Sequence, residues 1–469
     1  MKVHLSAVCG TAMASLAGLL QQLGHQVTGS DQDVYPPMST QLAALGVQVR
    51  SPYAEANVPA DADLVVIGNA LSRGNPEVEV VLERRQRYTS LPALLAEEFL
   101  RERRSLVVAG THGKTTTSSL LAFLLQQAGL DPSFLIGGVP VDFERSYRLG
   151  EGRHFVVEGD EYDCAFFDKR PKFVHYLPQV AVIGNLEYDH ADIYPDLASV
   201  QLAFVRLMLV VPRNGLLVAG TESPALRELL GQARCPVETF GLHPEADWRA
   251  VDVRTDARGS SFRLLRHGRD QGEMRLALAG EHNVRNALAA LAVAAAEGVE
   301  PKDAREALSA FRGVKRRLEV RGVARGITVY DDFAHHPTAV AATLSALRAS
   351  GDGGRLIAVF EPRSYTSRTR VFQDEFARAF TLADEVLVAA AHLPGKVPEG
   401  QRLSEAELVD TIQARGGQAA FVREVDAIVE RLAETLRPGD RVAILSNGGF
   451  GGIHQKLLRA LEATVPSGR

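Results

Sequence analysis

Short apolar runs alternate with amphipathic patterns along the chain. The runs at residues 3–8, 106–109 and Val180–Ile183 consist mainly of Val, Leu, Ile and Ala, and the stretches between such runs place apolar residues at helical spacing. This alternation predicts βαβ units with parallel sheets from one end of the chain to the other. We therefore expect an α/β protein.

The alternation restarts twice. The second series begins at 106–109 and ends with a helix from Asn283 to about Glu297, and the third begins near Glu319. Between the first two, the charged stretch EEFLRERR at 97–104 is typical of a helical linker. A chain of 469 residues also exceeds what one hydrophobic core supports. We therefore predict three domains, at 1–100, 101–318 and 319–469. In the third, the predicted strands are residues 327–330, Leu356–Phe360, 385–389 and 442–445.

Composition places the chain among globular proteins and excludes two classes of partner. Hydrophobic residues make up 46% of the sequence and charged residues 23%. The net charge of -5 argues against nucleic acid, because neutralising many phosphates needs a basic surface. No apolar run is long enough to span a bilayer, so we expect no membrane partner.

Cysteine usage and the first residues favour a cytoplasmic protein. Cys9, Cys164 and Cys235 have unrelated spacings, which form neither a disulfide framework nor a zinc site and fit a reducing compartment. The segment from Met1 to Leu5 runs directly into a strand, with no signal peptide before it. We expect a cytoplasmic location.

The first strand leads into a weak glycine signal. The turn VCGTAM at 8–13 has a single glycine, Gly10, where a dinucleotide fingerprint has three, and the next strand leads to Asp31. One interpretation is a tight turn with no role in nucleotide binding. The other is that Gly10 and Thr11, at a helix N-terminus, hold a diphosphate, which suits a UDP-linked sugar as well as a dinucleotide.

The second glycine turn, GTHGKTTT at 110–117, is a strong signal for ATP. It lies between an apolar strand and an amphipathic helix, the context in which backbone N–H groups approach phosphate oxygens. We expect Lys114 to bridge the β- and γ-phosphates and the Thr115 hydroxyl to bind Mg²⁺. The loop has two residues between its glycines where the strict consensus has four.

Two acidic clusters follow strands of the same predicted domain. EGDEYD begins at Glu158, and NLEYDHADIY contains His190. Ligands of open α/β sheets bind beyond the carboxyl ends of strands, so Glu158 is the expected acidic partner for the metal. A lone histidine is usually a surface residue, but in this position His190 is a candidate ligand for a second metal ion.

The motifs together resemble the Mur ligases of bacterial cell-wall metabolism. The resemblance rests on GTHGKTTT, EGDEYD, NLEYDHADIY, GEHNVRNALAA, GVKRRLEVRG and YDDFAHHPTA, in this order and over the whole chain. VCGTAM, DVYPPMSTQL and SNGGFGGIHQKLL further resemble the branch that attaches the recycled tripeptide L-alanyl-γ-D-glutamyl-meso-diaminopimelate to UDP-N-acetylmuramate. The implied fold has a Rossmann-like first domain for the UDP-sugar, a central P-loop ATPase-like domain with a mostly parallel sheet, and a Rossmann-like last domain for the amine substrate.

The resemblance also implies roles for individual residues. The phosphate loop, Gly110, Thr111, His112, Gly113, Lys114, Thr115 and Thr116, would bind ATP. The metal ligands would be Thr115, Glu158 and His190. The nucleotide would also contact Asn283, Asn286, Arg317 and Asp332. His336 would point toward the reacting groups, so that the catalytic residues would be Lys114, Glu158, His190 and His336. Without the resemblance, Arg316 and Arg317 could equally be a solvated hinge.

Three features of the sequence depart from the family pattern. Gly159 stands where alanine is common, and Ala12 where a bulkier residue is usual. Some members carry a carbamylated lysine after the equivalent of His190, but residues 191–211 contain no lysine. We therefore expect the metal to be held without a carbamate.

The amine substrate is expected on the last domain. A tripeptide with several carboxylates favours Arg donors, and Arg363 and Ser364 follow the predicted strand Leu356–Phe360. Arg368 and Arg370 follow closely, and the alternative is that these Arg side chains pair with Asp374 and Glu375 on a helix surface. Asn447, in SNGGFGG, could help to bind an anion or belong to a tight connector. His335-His336 is a poor zinc candidate, because adjacent histidines point in different directions and no Cys or third His is near in sequence.

The predicted activity is ATP- and Mg²⁺-dependent amide formation through an acyl-phosphate, in peptidoglycan recycling. The nearest alternative is UDP-N-acetylmuramate–L-alanine ligation, and another class of protein, a nucleotide-dependent switch, would hydrolyse ATP only to change shape. We expect small-molecule substrates and a monomer or weak dimer.

Overall fold

A computed structural model of the chain describes residues 1–34, 38–351, 353–393 and 397–463. Its three α/β domains each contain a twisted sheet with helices on its faces. Residues 35–37 of the motif DVYPPMSTQL lie outside the described residues.

The first sheet is fully parallel, as predicted, with strand order β3-β2-β1-β4-β5. The first strand ends at Ser6, two residues before the predicted end, because Ala7 has φ 70° and turns the chain. The elements of this part are β1 (Lys2–Ser6), α1 (Thr11–Gln22), β2 (Gln26–Ser30), α2 (Met38–Ala44), β3 (Gln48–Arg50), β4 (Leu64–Ile67), α3 (Pro76–Glu83), β5 (Tyr88–Thr89), α4 (Leu91–Leu95) and a π-helical turn, Ala96–Leu100.

The central sheet has ten strands in the order β17-β16-β15-β14-β13-β12-β6-β9-β7-β8. Its elements are β6 (Arg104–Ala109), α5 (Lys114–Gln127), β7 (Ser133–Leu135), β8 (Tyr147–Arg148), β9 (His154–Glu158), β10 (Asp163–Ala165), β11 (Asp168–Pro171), β12 (Val180–Ile183), α6 (Leu197–Val210), β13 (Leu216–Gly220), α7 (Pro224–Arg227), β14 (Val237–Gly241), β15 (Trp248–Asp256), β16 (Gly259–Arg266), β17 (Arg269–Leu276), α8 (Glu281–Ala296) and α9 (Pro301–Ala310). β10 and β11 form a separate antiparallel hairpin. Strands β15 to β17 also pair antiparallel, so the expectation of βαβ units throughout is wrong there. Short turns at Arg258 and Gly268 connect them, which leaves no room for a crossover helix.

The C-terminal sheet has strand order β18-β19-β23-β20-β21-β22, parallel except at β18–β19. Its elements are β18 (Glu319–Ala324), β19 (Ile327–Asp332), α10 (Pro337–Ser350), β20 (Leu356–Phe360), α11 (Gln373–Phe380), β21 (Glu385–Val388), α12 (Glu405–Ala414), β22 (Ala419–Phe421), α13 (Val425–Thr435), β23 (Arg441–Leu445) and α14 (Ile453–Ala463). A separate apolar cluster lies on each face of this sheet.

The first two domains share one hydrophobic core. Leu5, Leu16 and Phe155 belong to the same buried cluster. A Cβ on Gly18 of α1 would lie 2.1 Å from Cζ of Tyr147 in β8, so this close contact needs a glycine. The predicted helical linker at 97–104 is helical only to Leu100, and it is part of this core, because Phe99 is fully buried with its ring 6.3 Å from that of Phe155. Within the described residues, no helix is long and apolar enough to cross a membrane.

Candidate nucleotide and ligation site

The turn between β6 and α5 has the backbone of a phosphate-binding loop. Gly110 and Gly113 have φ 131° and 83°, in the region that favours glycine. A Cβ on Gly113 would lie 2.4 Å from Oδ1 of Asn286. The first turn of α5 begins at Lys114, where the N–H groups of a helix lack intrahelical acceptors. The loop therefore has the geometry that binds an anion.

Asn185, directly after β12, holds this loop in place. Its backbone carbonyl accepts from the Thr111 N–H at 3.1 Å, and its Oδ1 accepts from the His112 N–H at 2.8 Å. Asn185 is the first residue of NLEYDHADIY, but its role depends on contacts with the loop that the sequence does not show.

Lys114 is buried in a ring of oxygen acceptors. Its Nζ donates to Oε2 of Glu161 at 2.8 Å and to the carbonyl of Gly110 at 2.8 Å. Burial disfavours the charge, but the carboxylates of Glu161 and Asp160 outweigh it and raise the pKa of Lys114. The ammonium is therefore charged at neutral pH and lies beside the loop.

Two of the three predicted metal ligands are in contact. The Thr115 hydroxyl donates to Oε1 of Glu158 at 3.0 Å, and the Gly137 N–H donates to Oε2 at 2.8 Å. Burial raises the pKa of Glu158 despite the nearby charge of Lys114. The pair offers the oxygen donors that Mg²⁺ prefers.

His190 joins the same group through Glu161. Its Nε2 lies 2.9 Å from Oε1 of Glu161, the carboxylate that also binds Lys114. The ring packs on Tyr162 at 4.3 Å. Burial alone would lower the pKa of His190, but the hydrogen bond and charge of Glu161 raise it. Glu161 lies in the acidic cluster EGDEYD, but no pattern in the sequence gives it a role.

The two asparagines of α8 lie together beside the loop. Asn286 Nδ2 donates to Oδ1 of Asn283 at 3.2 Å, and Asn283 Nδ2 donates to the carbonyl of Ala279 at 2.8 Å. Since Asn286 Oδ1 is the atom that excludes a side chain at Gly113, the structure brings both predicted residues to the phosphate loop.

Arg317 and Asp332 are also placed together, at the start of the C-terminal domain. The Arg317 guanidinium lies 4.9 Å from the ring centre of Phe333, and burial lowers its pKa despite the neighbouring Asp332. Asp332 is buried and accepts from the N–H groups of Leu318 and Ala334 at 2.7 and 2.9 Å. Burial raises the pKa of its carboxyl group.

Arg316 is not a solvated hinge. Its Nη2 donates to the carbonyls of Ser446 and Gly448 at 2.6 and 2.8 Å, so it ties the entry of the C-terminal domain to the glycine-rich turn after β23.

His336 lies at the junction of the central and C-terminal domains. Its ring is 4.7 Å from that of His112 in the phosphate loop, and its Nδ1 is 3.8 Å from Oε2 of Glu187. Burial and the nearby His112 lower the pKa of His336 to about 3, while its Nε2 is buried with no hydrogen-bond partner among the described residues. Thr338 donates to Oε2 of Glu187 at 2.6 Å. Sequence analysis missed Glu187, because its partners come from distant segments.

The predicted peptide residues surround the turn after β23. The Arg363 side chain packs on Gly448, where a Cβ would lie 2.0 Å from Nε, and Nη1 is 3.7 Å from Oε2 of Glu361. Asn447 Oδ1 is buried without a hydrogen-bond partner among the described residues. Ser364 Oγ donates to Oγ of Ser367 at 2.8 Å and shapes the loop.

The alternative pairing of these Arg residues with Asp374 and Glu375 is wrong. Glu375 pairs with Arg378 at 3.0 Å, and Arg370 pairs with Glu407 at 2.5 Å. Arg368 instead donates to the carbonyl of His392 at 3.0 Å.

In the first domain, Gly10 precedes α1 and Thr11 begins it. Asp31 accepts from the Cys9 N–H at 2.7 Å through Oδ2 and from the Tyr53 hydroxyl at 3.1 Å through Oδ1. Asp31 therefore stabilises the glycine turn.

Comparisons with known proteins identify the family of the chain. Three family profiles match: "Mur ligase family, catalytic domain" at residues 2–103, "Mur ligase middle domain" at 108–294 and "Mur ligase, glutamate ligase domain" at 316–448. The chain is 46% identical over 463 residues to the UDP-N-acetylmuramate–L-alanyl-γ-D-glutamyl-meso-2,6-diaminoheptandioate ligase of Escherichia coli strain K12, with 98% of each chain covered.

One further sequence relative and one solved structure also match nearly the whole chain. It is 36% identical over 479 residues to the UDP-N-acetylmuramate–L-alanine ligase of Paracidovorax citrulli, with 99% of this chain and 98% of that one covered. The crystal structure of a murein peptide ligase from Psychrobacter arcticus matches with a TM-score of 0.74, 39% identity and 99% of both chains covered. The chain therefore belongs to the Mur ligase family and is an ATP-dependent ligase that forms amide bonds.

Proposed function

We propose that this protein joins the carboxylate of UDP-N-acetylmuramate to the amino group of L-alanyl-γ-D-glutamyl-meso-diaminopimelate, with release of ADP and phosphate, in peptidoglycan recycling. The observation that carries the proposal is the higher identity to the Escherichia coli relative named for this tripeptide than to the alanine ligase, over nearly the whole chain.

The reaction we propose begins with phosphoryl transfer. A carboxylate is a poor electrophile, so one of its oxygens attacks the γ-phosphorus of ATP and ADP leaves. Lys114 and the N–H groups of the loop offset the charge on the transferring oxygens. Thr115 and Glu158 would hold Mg²⁺, with His190 near a second ion, and the metal would neutralise phosphate charge.

Amide formation follows at the same place. The amine attacks the acyl carbon, and phosphate leaves with one oxygen of the original carboxylate. Nδ1 of His336 accepts from the Thr338 N–H at 3.4 Å, which places the proton of the neutral ring on Nε2. This unpartnered N–H suits an oxygen of the acyl-phosphate or the peptide. Arg363 and Asn447 would bind the peptide backbone and carboxylates.

A cavity beside His336 supports a peptide over a single amino acid. It has a volume of about 450 Å³, and its lining includes Tyr188, Phe372, Glu375 and Arg378. This volume is in the range that holds ligands much larger than alanine.

The test compares amine substrates directly. The protein is incubated with ATP, Mg²⁺ and UDP-N-acetylmuramate, together with either the tripeptide or L-alanine, and the products are identified by mass. We expect the tripeptide adduct, with little or no alanine adduct. An alanine adduct alone would favour the alanine ligase, and phosphate release without UDP-N-acetylmuramate would favour a switch. We also propose that the protein works in the cytoplasm as a monomer or weak dimer.

A further inference from the structure

Two imidazoles and a carboxylate meet where the central and C-terminal domains touch. His112 comes from the phosphate loop, Glu187 follows β12, and His336 precedes α10. Their nearest ligand atoms all lie within 4.8 Å of one another. Nε2 of His112 is 3.3 Å from Oε2 of Glu187, and Nδ1 of His336 is 3.8 Å from the same oxygen.

Two of these separations lie near the spacing of ligand atoms in a zinc site. Zn²⁺ binds imidazole nitrogen and carboxylate oxygen at roughly 2.0–2.2 Å, so ligand atoms of a tetrahedral site are about 3.3 Å apart. One of the three pairs has this spacing, the pair of Glu187 and His336 needs a shift of about half an ångström, and the two imidazole nitrogens lie within 4.8 Å of each other. Two imidazoles and one carboxylate are also a known zinc donor set, with the fourth position open.

We propose that His112, Glu187 and His336 form a transition-metal site of the Zn²⁺ type that bridges the two domains. It is separate from the Mg²⁺ site proposed at Thr115 and Glu158, because imidazole nitrogens suit Zn²⁺ and its neighbours, whereas Mg²⁺ selects oxygen donors. Thr338, which donates to Oε2 of Glu187, would orient the carboxylate from behind.

Metal at this position would restrain the enzyme. It would cross-link the phosphate loop to the start of α10 and take the lone pair of His336 Nδ1 in place of the 3.4 Å hydrogen bond from the Thr338 N–H, so opening of the C-terminal domain would slow. We therefore expect Zn²⁺ to inhibit ligation in the presence of excess Mg²⁺.

Among the described residues, one other cluster could compete for such an ion. Cys164, Asp168 and His175 also have ligand atoms within 4.8 Å of one another. There, however, Sγ of Cys164 donates to the carbonyl of Arg170 at 3.1 Å, and Asp168 pairs with Arg170 at 2.7 Å. Its thiol also gives the control, since thiolate adds a strong sulfur-to-metal absorption that imidazole and carboxylate lack.

The test is a Co²⁺ titration of the full-length protein in excess Mg²⁺, followed by visible absorption. We expect one Co²⁺ per chain with the spectrum of a tetrahedral site and no thiolate band. His112→Ala and Glu187→Gln should each weaken binding more than tenfold, whereas Cys164→Ser and His243→Ala, at an exposed histidine of the central domain, should bind as the parent does.

Glu187→Gln keeps the shape of the side chain and carries the test if His112→Ala fails to fold, which thermal unfolding without metal would reveal. Binding by both variants at parental affinity would overturn the proposal, as would a signal that Cys164→Ser removes. The titration requires no turnover, so its result is independent of the proposed ligation.

Discussion

Both carboxylate oxygens of Glu161 accept hydrogen bonds from Nζ of Lys114, at 3.0 and 2.8 Å. The same carboxylate binds His190, so one buried acid connects the loop lysine with the candidate metal histidine. The phosphates of a nucleotide would have to share the Lys114 ammonium with this carboxylate or displace the carboxylate from it. Glu161 is therefore placed to set the positions of both the Lys114 ammonium and the His190 ring.

Removal of the loop ammonium should abolish most of the activity. We expect Lys114→Ala to lower kcat by about 10²–10³-fold, because the charge that offsets the transferring phosphoryl group is lost. Steady-state phosphate release with both organic substrates measures this. Lys302→Ala, at an exposed lysine in α9, is the control and should be silent. Parental kcat in Lys114→Ala would contradict the assigned role.

The environment of His190 predicts a pH-dependent contribution to stability. Its pKa is raised in the folded protein, so the folded state holds this proton more tightly than the unfolded state. The contribution is fully present below the ordinary histidine pKa of about 6.5 and is lost as the pH rises through the raised value. The loss of unfolding free energy in His190→Gln should therefore be larger at pH 6 than at pH 9.

Denaturant unfolding at a series of pH values measures this difference. His243→Gln replaces an exposed histidine of the same domain and should show no such trend. A His190→Gln difference that grows with pH would have the wrong sign for the pair with Glu161.

Arg363 should distinguish the peptide from the nucleotide. We expect Arg363→Ala to raise the KM for tripeptide by about 10–100-fold, since a charge-assisted hydrogen bond contributes about 1.5–3 kcal/mol. The KM for ATP should change little. Arg415→Ala, at an exposed arginine after α12, is the matched control. Equal effects on the two KM values would count against a peptide-binding role.

Thr338 tests the contact between the central and C-terminal domains. Thr338→Val removes the 2.6 Å hydrogen bond to Glu187 without changing the shape of the side chain. Because Glu187 is 35% exposed, we expect a modest effect, a fall in kcat/KM for ATP of up to about tenfold. Thr411→Val, which removes a hydroxyl bonded within α12, should be neutral. An unchanged kcat/KM would show that this contact does not help the C-terminal domain to close over the central domain.

Local signals identified the elements that carry the phosphate site. The apolar run at 106–109 and the glycines that follow it predicted β6, the loop and α5, because strand, turn and helix are specified by adjacent residues. Val180–Ile183 was predicted with its observed bounds, since a short buried strand reads as a continuous apolar run. The four strands predicted in the third domain correspond to β19, β20, β21 and β23.

Burial and contacts that depend on residues distant in sequence could not be predicted from the sequence alone. Phe99 lies in a charged stretch, and only the surrounding core shows that it is buried. His335-His336 was a poor zinc candidate because adjacent histidines point in different directions and no Cys or third His is near in sequence, and only the fold brings His112 and Glu187 of the central domain close to His336. The roles of the candidate residues remain predictions.

The central claim, that a carboxylate is activated as an acyl-phosphate at the loop of Lys114, can be tested with isotope. UDP-N-acetylmuramate labelled with ¹⁸O in its carboxylate is incubated with ATP, Mg²⁺ and the tripeptide, and the released phosphate is analysed by mass spectrometry. The account predicts one ¹⁸O in each phosphate formed with product, and the other in the new amide. Unlabelled phosphate alongside fully labelled starting material would contradict it.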